Sequence, residues 1–487
     1  MPSLDRRTFL AGASAGMGAA ALARPFPVLA QGSGDVDIVV VGAGAAGIAA
    51  ARRIAAAGRR VVVVEASDRI GGRCATDTKI FGMPFDRGAH WLWGADINPV
   101  AKLAPGTGLD VSAAPPGQRL RIGRRYGRES ELEDFLSVLV RTNRAFAEAA
   151  RGKTDIACLQ ALPKDLLDWR STVEYVLGPL AYGKDLRELS VVEISKAAER
   201  DTPAYCREGL GTLLARLAGG LPVRLSTPAT RINTWVRGKV EVETTRGTLV
   251  ARGAIVTAST NLMAAGKIRF DPDLPKRHLD AFSRLSLGSQ DHVVLELEGS
   301  PLGPQRDDLI YEKADGPRTA AMLANVSGGP LCMIQLGGRL GRDLSAQGEA
   351  AMVDYAQEWL AKLYGSDIRK AVRRTHATRW NQDPWAMGAA SAAGVGGHGS
   401  RAALSEPVRD RVWFAGEAVH ETQWGTVNGA WLSGERAAEA AMRKFGWITT
   451  PRPAGEPRET PRRPRRKPAP SAAPSRPSAP SGLSWPF

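Results

Sequence analysis

The chain is 487 residues long, with 65 lysines and arginines against 50 aspartates and glutamates, a net charge of +15. At 43% hydrophobic and 24% charged it can bury a large core, which excludes wholesale disorder. Four cysteines in so long a chain exclude a disulfide-built scaffold, and without a CxxC pair or a Cys/His cluster no metal site is expected. The positive charge gathers at the ends: residues 451–487 carry +6 and residues 1–30 carry +2, which leaves +7 on the 420 residues between. That is an ordinary balance for a globular body, so nucleic acid is not an expected partner.

The first residues carry a twin-arginine pair. Residues 3–10 read SLDRRTFL, with Arg6 and Arg7 ahead of Phe9 and Leu10. A weakly apolar run, AGASAGMGAAALA, follows, and Val28-Leu29-Ala30 has the small residues a signal peptidase needs. The pattern predicts a signal peptide over 1–30, export of the already folded protein by the twin-arginine machinery, and a periplasmic location. The apolar run is too short and too glycine-rich for a good membrane span. An uncleaved, disordered or membrane-associated N-terminus is the competing reading.

Asp37-Ile38-Val39-Val40-Val41 is a short β-branched run, which predicts a buried parallel strand. Gly42-Ala43-Gly44-Ala45-Ala46-Gly47 follows, then an alanine-rich helical stretch to about Ala57. Gly58 ends that helix, and Val61 to Val64 make a second strand closing on Glu65. This is GxGxxG in the strand–helix–strand setting that binds a dinucleotide. Gly42 allows the tight turn, Gly44 lets backbone approach a pyrophosphate, and Gly47 permits close helix packing. The helix amino end, at Ala46, offers free N–H groups and a partial positive charge. Glu65 can accept hydrogen bonds from ribose hydroxyls. In Arg69-Ile70-Gly71-Gly72-Arg73, the diglycine ending at Gly72 lets the chain run against a cofactor, and Arg73 can offer a forked guanidinium to phosphate. Asp86-Arg87-Gly88-Ala89-His90-Trp91 then supplies small residues followed by an aromatic, suited to a loop passing close to a flat ring.

At this point the sequence resembles the flavin-dependent amine oxidase family, which includes monoamine oxidases, polyamine oxidases and the histone demethylases of that fold. In that family these stretches wrap FAD. Gly209 to Leu214 and then Leu225 to Ile232, with Ala229, look like its second FAD-contacting segment. A stretch of alternating polarity from Val240 to Val256 predicts strands. Val412 to Glu417 resembles the third segment, with Gly416 and with Glu417 as the acidic residue that contacts the ribityl chain. Gly425-Thr426-Val427-Asn428-Gly429-Ala430 opens a helix to about Phe445, whose amino end would face the flavin's pyrimidine edge. The resemblance spans residues 35–446. It implies an α/β fold, with a Rossmann-like FAD-binding domain of the flavin amine oxidase type and a mixed α+β substrate-binding domain. The FAD-binding domain takes 31–100, 204–262 and 405–448; the substrate-binding domain takes 101–203 and 263–404. The first substrate stretch reads as mainly helical, for example Glu131 to Ala150. The second reads as mixed, with a strand at His292 to Leu297 and a helix at Glu349 to Tyr364.

The family's chemistry takes hydride from the carbon beside a neutral amine nitrogen, delivers it to flavin, and leaves an imine that hydrolyses to aldehyde or ketone. Oxygen or another acceptor then reoxidises the cofactor. Arg379 to Trp385 resembles the family's RWxxDPW segment, and Trp385 and Trp424 are either pocket rings nearest the substrate or plain core. The chain departs from the family twice. His292 stands where a water-holding lysine is usual; its imidazole could bind the water, with a charge that depends on pH, or be a structural histidine at a strand start. Of the two aromatic cage positions, one is Ala390 and the other Thr426, so a two-ring sandwich is not expected. No cysteine lies near Ala389, where some relatives bond the flavin, so FAD is expected to be held without a covalent link. Cys74 reads as a packed thiol, and Cys158, Cys206 and Cys332 could pair in an oxidising compartment.

Two other functions remain open on these residues: a flavin desaturase or isomerase of an apolar molecule, and a flavin-binding envelope protein with little catalysis. From Pro451 the chain holds eleven of its 32 prolines and a basic run, Arg462 to Lys467. This tail, 449–487, reads as solvated and disordered, or as drawn to an anionic envelope surface.

Overall fold

The computed structural model describes residues 36–449 except 115, 116, 199, 201, 202, 236 and 237. The expected signal peptide and nearly all of the Pro/Arg-rich tail lie outside the described residues.

The opening β-branched run forms β1 (Val36–Val41), in which Ile38, Val39 and Val40 are wholly buried. Helix α1 (Ala45–Ala56) crosses over to β2 (Val61–Val64), which pairs with β1 in parallel, Val39 opposite Val62. On the other side β1 pairs in parallel with the end of β3 (Gly247–Val256), Val40 opposite Ile255. Eight strands make this sheet, in the order Arg269–Asp271, Ala229–Asn233, Val240–Thr244, β3, β1, β2 and Val223–Arg224, with Val412–Phe414 also beside β3. Residues far apart in the chain thus meet at the carboxyl ends of β1, β2 and β3, which is where an open α/β sheet leaves its crevice.

A second sheet of seven strands runs Val372–Ala377, β4 (Gln290–Leu297), Leu331–Gly337, Ala321–Ala324, Asp308–Glu312, Gln118–Ile122 and Arg125–Tyr126. The helix Glu349–Tyr364 covers one face of it, packing Met352, Ala356, Trp359 and Leu360 on Val293, Leu295 and Ile334. The stretch 101–203 is mainly helical, as its sequence predicts, with short strands the sequence did not show. It holds the long helix Glu129–Ala149, but Gln118–Ile122 (QRLRI) pairs in parallel with Asp308–Glu312. Two arginines in five residues hide that strand. Arg121 is nevertheless buried, its guanidinium held between the rings of Tyr126 and Tyr364 at 4.4 and 4.3 Å. All four cysteines are free and buried, so Cys158, Cys206 and Cys332 form no bridge; burial pushes each of these thiols up to about 12.

Behind the first sheet, α1 is crossed by helix α2 (Val427–Lys444). The crossing has no room for a side chain: a Cβ on Gly434 would fall 2.1 Å from the Ala46 carbonyl oxygen. Gly47 is equally confined, its Cβ position lying 1.9 Å from the Gly42 carbonyl oxygen. Gly434→Val should therefore push the two helices apart and destabilise the fold by roughly 1–3 kcal/mol. Chemical denaturation of the flavin-free protein measures it, and an unchanged midpoint would show that the crossing is loose.

Candidate functional site

The strand ends open on a cavity of about 360 Å³, against about 10 Å³ for the next best-formed pocket. One wall is the turn from β1 into α1. Gly42 has φ +105°, a conformation open to glycine, and a Cβ there would sit 2.3 Å from Thr257 Oγ1. Gly44 runs beside the diglycine loop, bridged to Gly71, and a Cβ on Gly72 would come within 3.3 Å of Gly44 Cα. Gly44 is also the α1 N-cap and has no side chain to close the helix end, so the first N–H groups, beside Ala46, face the cavity. Glu65 accepts from Ala43 N–H at 2.6 Å and from the Ser67 N–H and hydroxyl at 2.9 and 2.8 Å. Its carboxylate, with room for about four donors, keeps an acceptor site towards the cavity. A cradle with no space for side chains, unclaimed helix N–H groups and a strand-end carboxylate fits a dinucleotide. Gly88 and Ala89 from the next loop and Ala229 from the segment after β2 line the same space. Gly47 does not; it serves the helix contact.

The far wall is tied to this cradle through one carboxylate. Glu417 accepts from Arg73 Nη1 at 2.8 Å, from the Ser391 hydroxyl and N–H at 2.7 and 3.2 Å, and from Gly425 N–H at 2.9 Å. Burial pushes this carboxyl up, but the Arg73 and Arg401 guanidinia, with the bonds from Ser391 and Arg73, outweigh it and hold it below the usual carboxylate range. Those donors fill its acceptor sites, so the side chain is not free for the ribityl contact expected from the sequence. What it does is join three segments, while Gly416 and Glu417 still line the cavity. Arg73 likewise spends Nη1 on Glu417 and the Ala389 carbonyl, which leaves its other N–H groups for phosphate. Arg401, fully buried, completes the network with Glu193 at 2.6 Å, the Ala418 carbonyl at 2.9 Å and the Ser391 hydroxyl at 3.0 Å.

Thr426 lines the cavity, but its hydroxyl is taken: it accepts from Gly429 N–H at 2.9 Å and donates to the Gln423 carbonyl at 2.6 Å, capping α2. The cap points the positive end of α2, with Val427, at the cavity. Trp385 stands at the rim, 41% exposed. Trp424 is not a cavity residue. It is buried beneath the wall, its ring 5.1 Å from Tyr182 and 4.5 Å from the Arg401 guanidinium, so it is core.

The chamber beyond is walled by the second sheet. His292, on β4 opposite Gln335, faces it with Leu309, Leu323 and Met333. Its Nδ1 is buried without a partner. Burial first, and then His90, lower its pKa to about 4 against the pull of Asp86, so the imidazole is neutral through the physiological range. The pH-dependent charge expected from the sequence is thus removed by the fold. His90 packs beside Trp91, its ring centroid 4.6 Å from that of the indole, and Nδ1 lies 2.9 Å from Asp86 Oδ2 while Nε2 is buried and unpartnered. Two imidazole nitrogens are therefore available to a water or a substrate here. Among the polar lining residues that sequence reasoning missed are Arg200, Gln290 and Gln335. Gln290 and Gln335 follow the strand alternation and could have been read from it. Nothing in the local pattern marks Arg200 as the arginine that turns inward.

An unfolded histidine takes its proton near 6.5, whereas folded His292 resists it down to about 4. Between those values the unfolded state binds more protons, so stability is full above about 6.5 and falls as pH drops towards 4. His292→Asn should make the fall of melting temperature with pH shallower in that window. An unchanged slope would mean that His292 titrates normally.

A family model for flavin-containing amine oxidoreductases matches residues 45–442. Polyamine oxidase 2 of Arabidopsis thaliana is 28% identical over 443 residues, 83% of this chain and 87% of the relative. Among solved structures, cyclohexylamine oxidase from Brevibacterium oxydans IH-35A superposes with a TM-score of 0.72 at 21% identity, over 85% of this chain and 100% of that one. Putrescine oxidase bound to putrescine gives 0.71 at 19%, over 84% and 99%. The chain has the flavin amine oxidase fold and belongs to the flavin-containing amine oxidoreductases, enzymes that work with FAD.

Proposed function

We propose that the protein oxidises a small amine by hydride transfer from the carbon next to nitrogen, giving an imine that hydrolyses to aldehyde or ketone, with oxygen or another acceptor closing the cycle. The observation that carries this reading is the continuity of the cavity: the glycine cradle runs directly into a chamber walled by β4, where His292 is neutral. The likeness to oxidases of cyclohexylamine and putrescine supports an amine of modest size.

FAD, when bound, supplies the two-electron acceptor. The turn at Gly42 to Gly44, the α1 amino end, Glu65 and Arg73 would hold it, and Ala389 offers no side chain for a covalent bond. The remaining work falls to the chain's own groups. Leu309, Leu323 and Met333 exclude water, and burial of an ammonium in such a chamber lowers its pKa, favouring the neutral amine that can release hydride. His292 adds no positive charge against that departure and can accept a hydrogen bond from the amine or from the hydrolytic water. The amino end of α2 stabilises negative charge accumulating beside it.

Anaerobic mixing of the holoprotein with amines should bleach the yellow flavin band, and admitting oxygen afterwards should restore it if oxygen is the acceptor. In His292→Ala, reduction or reoxidation should slow about 10- to 100-fold, the worth of one buried hydrogen bond. Bleaching by apolar polyenes but by no amine would overturn the reading in favour of a desaturase, and no bleaching by either would leave a flavin-binding envelope protein.

Residues 1–30 lie outside the described structure, and we propose from the twin-arginine pair that the folded protein is exported to the periplasm. Lysine substitution of Arg6 and Arg7 together should keep the full-length flavoprotein in the cytoplasm; a periplasmic fraction equal to wild type would refute export by that route.

A further inference from the structure

We propose that the amine oxidised is an amino acid and that Arg200 binds its carboxylate in the substrate chamber; this rests on the amine-oxidation reading above. Arg200 lines the cavity, and its side chain reaches the corner where the chain has lost its bulk. Its Nη2 lies 3.3 Å from the point where a Gly425 Cβ would stand, and the Ala390 methyl carbon lies 3.5 Å from the same point. The guanidinium therefore sits beside the alanine that replaces a ring and at the amino end of α2, so two sources of positive potential converge on one corner.

The hydrogen bonds of Arg200 go to uncharged groups, and the carboxylate that acts on its charge, Glu417, does so without an ion-pair contact. Nη1 donates to the Ala181 carbonyl at 3.2 Å and Nη2 to the Trp424 carbonyl at 3.1 Å, both neutral acceptors at long range. Among the described residues no carboxylate lies within ion-pairing distance of it. The rings of Tyr182 and Trp424, 5.3 and 5.9 Å from the guanidinium carbon, offset part of its burial. Among the described residues three of its five N–H groups remain without a partner, and a planar fork of donors matches the two oxygens of a carboxylate.

The rest of the charge inventory points the same way. Three acidic side chains among the described residues line the cavity, and each is engaged: Glu65 with Ala43 and Ser67, Glu417 with its four donors, and Asp383 with the N–H groups of Trp385 and Ala386 at 2.9 and 2.8 Å. A second ammonium on a diamine would find only the Oδ2 of Asp383, beside the half-exposed Trp385 at the rim, because Glu417 is filled and Glu65 lies in the cradle. A carboxylate finds Arg200, and its amine finds the unpartnered Nδ1 of neutral His292 and the Gln335 side chain, which line the same cavity. Carboxylate and amine are then held at once, which orients the carbon between them.

Matched probes test this on the holoprotein: phenylalanine and leucine, in both hand forms, against phenethylamine and isoamylamine, and against the two amino-acid amides. Flavin reduction by an amino acid should be at least tenfold more efficient than by its decarboxylated amine or its amide. Arg200→Met should reduce that preference about 100-fold, chiefly through KM, while Arg200→Lys recovers part of it. Benzoate should compete with substrate and perturb the flavin spectrum of the unaltered protein, and benzamide should do neither, a measurement that needs no variant to fold. Equal or better reduction by the plain amines sinks the carboxylate assignment and leaves amine oxidation standing. Loss of FAD from a folded Arg200→Met protein sinks it too, because Arg200 would then serve the cofactor. No reduction by any member of the panel removes both readings.

Discussion

A buried carboxylate with four donors holds the cavity together. Glu417 meets Arg73 from the diglycine loop, Ser391 from the segment after the RWxxDPW stretch, and the Gly425 turn that opens α2. An unpaired charge at that depth would be costly, so the three segments cannot separate singly without leaving donors or the carboxylate unsatisfied. Arg401 extends the tie to Glu193 and the Ala418 carbonyl. The walls of the chamber are thus fixed by electrostatics, and the cradle is fixed by the absence of side chains. The two constraints meet at Arg73, which belongs to the diglycine loop and donates to Glu417.

Polarity divides the space in a way that suits hydride transfer. Helix amino ends and Arg73 face the cradle, where anionic groups belong, and apolar side chains from the second sheet face the chamber. His292 contributes hydrogen-bonding capacity without charge because its surroundings desolvate it and His90 stands close. Arg200 brings a positive charge to one corner of the chamber, where Gly425 and Ala390 leave room beside it.

What could be read from residues alone follows a physical pattern. The glycine turns were legible because positions such as Gly42, Gly47 and Gly72 need a positive φ or leave no room for a Cβ, and the β1–α1–β2 unit, the helix Glu349–Tyr364 and α2 followed from periodicity and flanking punctuation. Side-chain roles were less legible where a group's partner is distant in sequence. Thr426 reads as a pocket residue until its hydroxyl is seen to be spent on a cap, and Trp424 until its ring is found under Arg401. The strand Gln118–Ile122 was masked by arginines whose charge is absorbed by Tyr126, Tyr364 and Asp308, residues supplied by other elements. Arg200 belongs to the same class. Only the convergence of Ala181, Ala390 and Trp424 around it distinguishes it from a surface arginine.

The contact of Gly434 with Ala46 joins the first helix among the described residues to the last. The nucleotide cradle is begun by residues near position 40, yet its backing helix and the Gly425 turn arrive only after some 380 further residues have been made. A ribosome-bound chain would hold an open half-site through most of its synthesis. On this geometry the wall that closes the site is the last part of it to be translated, so a chain cut short before α2 would lack both the Gly425 turn and the helix behind the cradle.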